Sequence, residues 1–198
     1  MKLIENEFLI KRSEFFDEND DLICPQNMMQ YQIGLFDHLL SCEENEVSEF
    51  YETNSIDKDF SKYENYFLKF AIEIFENSDC PIFIDFDFEN LSNFDIIRII
   101  SSLDYEDKYI WIEFVKKLDN TKSKKIKLET ARELKMFFKI ITREEKFPTF
   151  HFENGKVCLL GNFDLFFPIF FATPELVKKY RQIANKNNLH ILEINRNK

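Results

Sequence analysis

Glycine is scarce in this chain, with three residues among 198. Phosphate-binding loops depend on glycine, because a backbone without side chains can approach a phosphate closely. The chain also contains no G-x-S-x-G, H-E-x-x-H or Gly-rich phosphate motif. The sequence therefore argues against a nucleotide-binding loop and against the hydrolases and zinc proteases that these motifs mark.

Cysteine and histidine, the usual ligands of zinc, are few and dispersed. The four cysteines are Cys24, Cys42, Cys80 and Cys158, and the three histidines stand alone. No pair has the spacing of a zinc site, so we expect neither a metal nor another cofactor. Thiols so far apart are most simply reduced, which predicts a cytoplasmic protein.

Long hydrophobic runs are also missing. The longest, residues 165–172, contains Pro168 and is too short to cross a bilayer. The first twelve residues contain no apolar stretch of the length found in signal peptides. These absences predict a protein without a membrane segment.

Charge is abundant and divided unevenly along the chain. Residues 1–107 contain 26 acidic and 7 basic side chains, a net charge of −19, whereas residues 108–198 carry +9. Such a field can attract a partner of opposite sign and raise association rates by roughly 10–10³-fold. Alternatively, the two halves neutralise each other within one fold.

Phenylalanine is the most unusual component, with 24 residues. Each aromatic side chain buries about 150–250 Å², so we expect a core built largely from phenylalanine. Such a surplus can also leave rings exposed, and an exposed cluster would mark a contact surface.

Hydrophobic periodicity, caps and turns predict the secondary structure. The predicted helices are 25–42, 57–77, one opened by Ser92, 129–143 and one opened by Thr173; the predicted strands are 82–88, 109–115, a hairpin around Asn154-Gly155, 162–171 and 189–195. Mixed elements without strict alternation favour an α+β fold, with a mixed, mainly antiparallel sheet and helices packed on one side. We expect a single domain over residues 1–198, with an acidic, helix-rich subregion at 1–79.

Three carboxylates alternate along the predicted strand 82–88 and beyond it. Asp85, Asp87 and Glu89 share one strand face, where oxygen ligands suit Mg²⁺. The run from Ile82 to Asn90 resembles the first acidic motif of PIN/NYN-type nucleases, and residues 160–168 resemble their later acidic loop. That resemblance implies a Mg²⁺-dependent ribonuclease using Asp85, Asp87, Glu89 and Asp164. The alternative is the solvated face of a half-buried strand.

The acidic clusters suggest a different function, which we favoured from the sequence. The candidate partner-binding residues are Asp17, Glu18, Asp20, Asp21, Glu43, Glu44, Glu46, Glu49, Phe50, Tyr51, Asp85, Asp87 and Glu89. Acids with nearby aromatic residues are typical of a binding surface for a cationic protein. Small acidic inhibitors, such as bacterial immunity proteins that neutralise nuclease toxins, are similar in charge and size. We therefore expect a non-enzymatic immunity or antitoxin-type inhibitor with a basic partner.

A third hypothesis concerns the lysines between positions 116 and 127. A lysine run can contact RNA phosphates. Nucleic-acid-binding domains are usually basic overall, however, and this chain has a sequence pI near 4.9. The sequence therefore favours a solvated loop there and no direct contact with nucleic acid.

Overall fold

The computed structural model describes residues 2–4, 9–19, 22–39, 58–86, 91–118 and 125–194. Within these ranges lie eight strands and five α-helices. The strands are β1 Lys2–Ile4, β2 Met29–Gly34, β3 Ile82–Asp85, β4 Lys125–Leu128, β5 Thr149–Phe152, β6 Val157–Leu160, β7 Phe167–Phe171 and β8 His190–Glu193. The helices are α1 Lys58–Glu76, α2 Asn93–Ser102, α3 Tyr105–Leu118, α4 Ala131–Thr142 and α5 Pro174–Lys186.

The described strands form one sheet in the order β1-β4-β3-β5-β6-β7-β2-β8. Every neighbouring pair is antiparallel. The helices lie against one face, where a single hydrophobic cluster takes side chains from all five helices and from β2 to β8. The predicted α+β fold, with a mainly antiparallel sheet and helices on one side, is confirmed. The prediction of a single domain stays a prediction.

Phenylalanine and isoleucine are the main components of the core between sheet and helices. Ten of the 36 buried residues in this cluster are phenylalanine. Phe86, Phe114, Phe137 and Trp111 form one aromatic group, with ring centroids 5.3–6.4 Å apart. Edge-to-face and tilted contacts of this kind are favourable aromatic geometries, and here they join β3, α3 and α4.

Local turn chemistry predicted the hairpin between β5 and β6 correctly. Asn154 and Gly155 have φ angles of 57° and 83°, and the Lys156 N–H donates a hydrogen bond to the Glu153 carbonyl at 3.2 Å. Positive φ at both central residues is what a type I′ turn requires, and Asn-Gly adopts it readily. The predicted helices 57–77 and 129–143 are likewise present as α1 and α4.

The prediction of a helix over 25–42 is wrong. Residues 29–34 form β2 between β7 and β8, and residues 35–39 continue without helix. Met29 and Ile33 fit the spacing of a helix, but Met29, Tyr31 and Ile33 also fit the alternation of a strand. In the folded chain, pairing with the neighbouring strands β7 and β8 selects the strand. The described part of the subregion 1–79 therefore contains β1, β2 and a short 3₁₀ turn besides α1, and it is not predominantly helical.

The prediction of a strand over 109–115 is also wrong, because these residues lie within α3. Asp107, Trp111 and Phe114 are buried, whereas Ile112 and Glu113 are exposed. Buried positions at i, i+4 and i+7 follow the helical period. Aromatic and β-branched residues suggested a strand, but strand alternation would have buried Glu113 together with Trp111.

The N-terminal segment covers the opposite face of the sheet. We call residues 9–19 and 22–28 the strap. Phe15 of the strap lies against Phe170 of β7, with ring centroids 4.8 Å apart, and joins Cys158 and Leu160 in a second, small hydrophobic cluster. The sheet is thus buried by helices on one face and by the strap on the other. No helix among the described residues is long and apolar enough to span a bilayer.

Candidate protein-binding surface

Helix α2 begins at a capping box that the sequence had indicated. The Asp95 N–H donates to Ser92 Oγ at 3.1 Å, and the Ser92 N–H donates to Asp95 Oδ2 at 3.0 Å. Hydrogen bonds from the Ser92 side chain and backbone hold the pKa of Asp95 below its usual value. The cap fixes the first turn, and this turn presents Phe94 and Ile97 to solvent, with exposed fractions of 73% and 64%.

Helix α3 has two apolar faces, and one of them is exposed to solvent. Its inner face contributes Trp111 and Phe114 to the core, and its outer face carries Tyr105, Tyr109 and Ile112 at i, i+4 and i+7. The two tyrosine hydroxyls are 2.6 Å apart, and their rings contact edge to face at 5.2 Å. The hydrogen bond with Tyr105 raises the pKa of Tyr109. The tyrosines support each other while 72% of Tyr105 and 57% of Tyr109 stay exposed.

These side chains define a surface that we call the aromatic face. It consists of Phe94 and Ile97 on α2 and of Tyr105, Tyr109 and Ile112 on α3. It accounts for five of the seven exposed large hydrophobic residues in the described ranges. Exposed apolar residues are ordinary when they are scattered, but their concentration on two consecutive helices makes the aromatic face a candidate interaction site.

Two grooves run beside the outer face of α3. One, of about 340 Å³, is lined by Tyr109, Glu113 and the start of α4. The other, of about 560 Å³, is lined by Tyr105, Glu106 and Lys135. Arg132 lines both grooves and bonds to Glu106 at 2.7 Å. The exposed tyrosines therefore stand next to concave surface that side chains of another protein can enter.

A buried ion network holds α3 against α4. Lys139 donates hydrogen bonds to Asp104 and Asp107, and the side chains of Lys139 and Asp107 are only 5% and 7% exposed. Burial acts to lower the pKa of Lys139, but the hydrogen bonds to both aspartates outweigh it and raise that pKa. The hydrogen bond from Lys139 holds the pKa of Asp104 below its usual value. Lys139 and Asp104 are thus both charged at neutral pH.

A second network fastens the end of α4 to α1 and α2. Arg143 donates from Nε and Nη2 to the two carboxylate oxygens of Glu64, at 2.6 and 2.8 Å, and also donates to the Ser102 carbonyl. A bidentate Arg–carboxylate pair fixes orientation as well as distance. The aromatic face therefore rests on a rigid base.

Ion pairs connect acidic residues of 1–107 with basic residues of 108–198. Six acids of residues 1–107 pair with five cations of residues 108–198, namely Glu64 with Arg143, Glu73 with Lys186, Asp95 with Lys146, Glu106 with Arg132, and Asp104 and Asp107 with Lys139. None of these six acids is among the partner-binding residues predicted from the sequence. Pairing leaves the net charge of −10 unchanged.

Most of the predicted partner-binding residues lie outside the described ranges. Asp17 and Glu18 belong to the strap, on the sheet face opposite the helices. Asp17 is half-buried and accepts a hydrogen bond from the Asn19 N–H at 2.9 Å. The residues outside the described ranges are Asp20, Asp21, Glu43, Glu44, Glu46, Glu49, Phe50, Tyr51, Asp87 and Glu89. Their part in binding stays a prediction.

Asp85 and Asp164 occur near the same end of the sheet. Asp85 pairs in register with Lys125 on one side and with Thr149 on the other, and Thr149 pairs with Leu160 at the end of β6. Asp164 follows in the β6–β7 loop, where its N–H donates to Glu144 Oε1 at 2.8 Å. The described neighbour of Asp85 along β4 is thus a cation, and no group of three or more metal-ligating side chains occurs in the described ranges.

The predicted strand over residues 109–115 did not indicate the aromatic face, because a strand would not place Tyr105, Tyr109 and Ile112 on one side. A signal was nevertheless present. Tyr105, Tyr109 and Ile112 repeat at helical spacing, as do Asp107, Trp111 and Phe114 two residues further along. Two offset stripes of this kind indicate a helix with one face in the core and the other available for contact.

A scan against protein-family models found no match, and searches of curated proteins and of solved structures found none either.

Proposed function

We propose that the protein acts by binding another protein and that the aromatic face is the contact surface. The observation that carries the proposal is the concentration of exposed aromatic and aliphatic side chains on α2 and α3. No contact among the described residues requires these side chains to be exposed. Burying their apolar surface would be favourable. A partner that covers them supplies that burial.

The anatomy of the surface agrees with known binding hot spots. Tyrosine is enriched at such positions, because it combines a large apolar ring with a polar tip and loses little conformational entropy. Tyr105 and Tyr109 are already oriented by their mutual contact. Charged residues such as Glu106 and Glu113 flank them and give the patch a polar rim.

The net charge of −10 supports a cationic partner. We therefore propose a non-enzymatic inhibitor of the immunity or antitoxin type, which masks the basic active site of a nuclease-like toxin. The acidic residues predicted from the sequence would steer association, whereas the aromatic face would slow dissociation. Charge complementarity acts mainly on the association rate, and buried contacts act mainly on the dissociation rate.

Substituting Tyr109 tests this proposal. We expect Tyr109→Ala to raise the dissociation constant of the complex about 30-fold, because a hot-spot truncation costs roughly 2 kcal/mol or more. The full chain serves as bait, its partner is identified by mass spectrometry, and affinity is measured with the purified partner by surface plasmon resonance. Leu39→Ala is the control, because Leu39 is an exposed apolar residue that belongs to neither α2 nor α3.

The dependence of the association rate constant on salt concentration tests the charge of the partner independently. The association rate constant should fall as ionic strength rises, because exposed charges farther apart than about 8–10 Å are screened near physiological salt. Equal affinities of the parent and Tyr109→Ala would refute the aromatic face as the contact surface. An association rate constant that does not change with salt concentration would refute the proposal of a cationic partner.

A Mg²⁺-dependent ribonuclease remains the second proposal. It is supported by the position of Asp85 and of the loop carrying Asp164 at one end of the sheet. It predicts that Mg²⁺ raises the thermal midpoint of the parent protein and that Asp85→Asn abolishes both this shift and RNA cleavage. A parent protein that neither cleaves RNA nor responds to Mg²⁺ would exclude it.

A further inference from the structure

A cysteine and a histidine face each other beneath the strap. His151 on β5 and Cys158 on β6 are register partners, and Cys158 Sγ lies 3.4 Å from His151 Nδ1. Neither side chain is exposed. Burial lowers the pKa of His151 to about 3, helped by the charge of Lys125, and burial raises the pKa of Cys158 to about 12. Under the strap the two groups are therefore a neutral thiol and a neutral imidazole.

The covered site leaves polar atoms without partners. His151 Nε2 and Thr149 Oγ1 are both buried, and neither has a hydrogen-bond partner among the described residues. Either tautomer of His151 uses Nδ1 toward the thiol, so Nε2 remains unpaired in both. Buried polar groups without partners are rare in folded proteins and disfavour the covered state. Opening the strap would let water satisfy both atoms.

The strap contributes few fully buried side chains. Phe15 is its one buried member of the second cluster, and Ile10, Phe16, Leu22 and Met28 pack against that cluster while only partly buried. Leu9 is also buried, and its carbonyl accepts a hydrogen bond from Lys125 Nζ at 3.1 Å. Segments held by few buried apolar contacts open at a lower free energy than the whole molecule. The strap fits this description, and the helix-covered face does not.

We propose that the strap lifts while the remaining fold persists, and that the uncovered Cys158–His151 pair is a modification site for disulfides. In this reaction the thiol proton passes to His151 Nδ1, and the thiolate of Cys158 attacks one sulfur of the disulfide. A new S–S bond forms, the old S–S bond breaks, and the leaving thiolate takes the proton from the imidazolium. Electrons and atoms balance without another reactant. The proposal is independent of the proposed protein-binding function.

Charged groups face the pair from two strands and from the strap. Lys125 and Lys127 on β4 and Asp85 on β3 lie on the same sheet face as His151, and Lys125 is the register partner of Asp85. Asp17 of the strap is half-buried. From the strap, Lys11, Glu14 and Glu18 are exposed to solvent. The imidazole is therefore the ionisable group in hydrogen-bond contact with the thiol, and an adjacent imidazole promotes thiolate chemistry.

The test uses the full chain with Cys158 as its single thiol, obtained by Cys24→Ser, Cys42→Ser and Cys80→Ser. An aromatic disulfide that releases a coloured thiolate reports the modification rate. Adding Phe15→Ala should raise this rate at least about 100-fold, because the cover loses its buried ring. Phe67→Ala, on α1 against the other sheet face, removes an equally buried ring, is the matched core control and should leave the rate nearly unchanged.

His151→Gln in the Phe15→Ala background tests the pair itself. The rate near pH 7 should fall by about 100-fold, as expected when a general base is lost. Above about pH 10 the difference should vanish, because the uncovered thiol then ionises without help. A purely structural role for His151 would change the rate equally at both pH values, and this result would overturn the paired chemistry.

Low concentrations of urea give a measurement that needs no strap variant. If the strap opens locally, the modification rate depends only weakly on urea below the unfolding transition, since little surface is exposed. A rate that rises as steeply as global unfolding, or equal effects of Phe15→Ala and Phe67→Ala, would show that Cys158 is reached only in the unfolded chain. Either result would overturn the proposal.

Discussion

Replacing Lys139 by methionine is expected to lower the free energy of unfolding by about 3 kcal/mol, because it leaves a buried carboxylate whose remaining cation, the half-exposed Arg132, is 4.0 Å away. The carboxylate is that of Asp107, which is almost entirely shielded from solvent between α3 and α4. Asp104, in contrast, is largely exposed and can be solvated without Lys139. Urea denaturation followed by circular dichroism measures the effect.

Two further variants separate charge from packing. Lys135→Met, on the same helix and beside the same groove, should change stability by less than about 0.5 kcal/mol, as surface substitutions usually do. Adding Asp107→Leu to Lys139→Met should restore most of the loss, since a buried ion pair can often be replaced by apolar groups at little cost. A loss that persists in the double variant would show that packing, and not the unpaired charge, determines the effect.

The same network predicts a pH dependence. The lowered pKa of Asp104 stabilises the fold above its unfolded value near 4, and this contribution is lost as the pH falls further. The raised pKa of Lys139 stabilises the fold below its unfolded value near 10.4, and this contribution is lost at higher pH. The free energy of unfolding between about pH 5 and 10 should therefore exceed that at either extreme. In Lys139→Met, the decrease in this free energy at low pH and at high pH should both be smaller.

Replacing Phe114 by alanine should also cost about 3–5 kcal/mol, the usual range for removing a buried aromatic ring. Phe114 contacts Trp111, Phe86 and Phe137 and is nearly inaccessible to solvent. Its removal leaves a cavity where α3, α4 and β3 meet. Chemical denaturation is again the measurement, and binding by the remaining aromatic face can be recorded with the same preparation.

Its neighbours provide the control. Ile112→Ala and Glu113→Ala should each change stability by no more than about 0.5 kcal/mol, because both side chains face solvent. The expected sequence of large and small effects follows the helical period of α3. Comparable losses at Glu113 and Trp111, with little loss at Phe114, would follow a strand period instead and would contradict the helix.

Local chemistry in the sequence determined several elements without help from tertiary structure. Ser92 with Asp95 capped α2, Thr173 preceded α5 and Pro174 began it, and Asn154-Gly155 turned the chain between β5 and β6. Each of these signals acts over four residues or fewer, because the preference lies in the backbone angles or in one short hydrogen bond. Composition likewise determined that phenylalanine would be a main component of the core.

Only the tertiary structure decided the elements whose periodicity was ambiguous and the pairs that are distant in sequence. Residues 29–34 became a strand because β7 and β8 offered hydrogen bonds on both sides, and residues 105–118 became a helix whose inner face meets Phe86 and Phe137. The aromatic face, the Lys139 network and the strap over Cys158 depend on the same packing. Short-range patterns specify local conformation. Contacts between residues distant in sequence depend on how all the helices and strands pack together into one core.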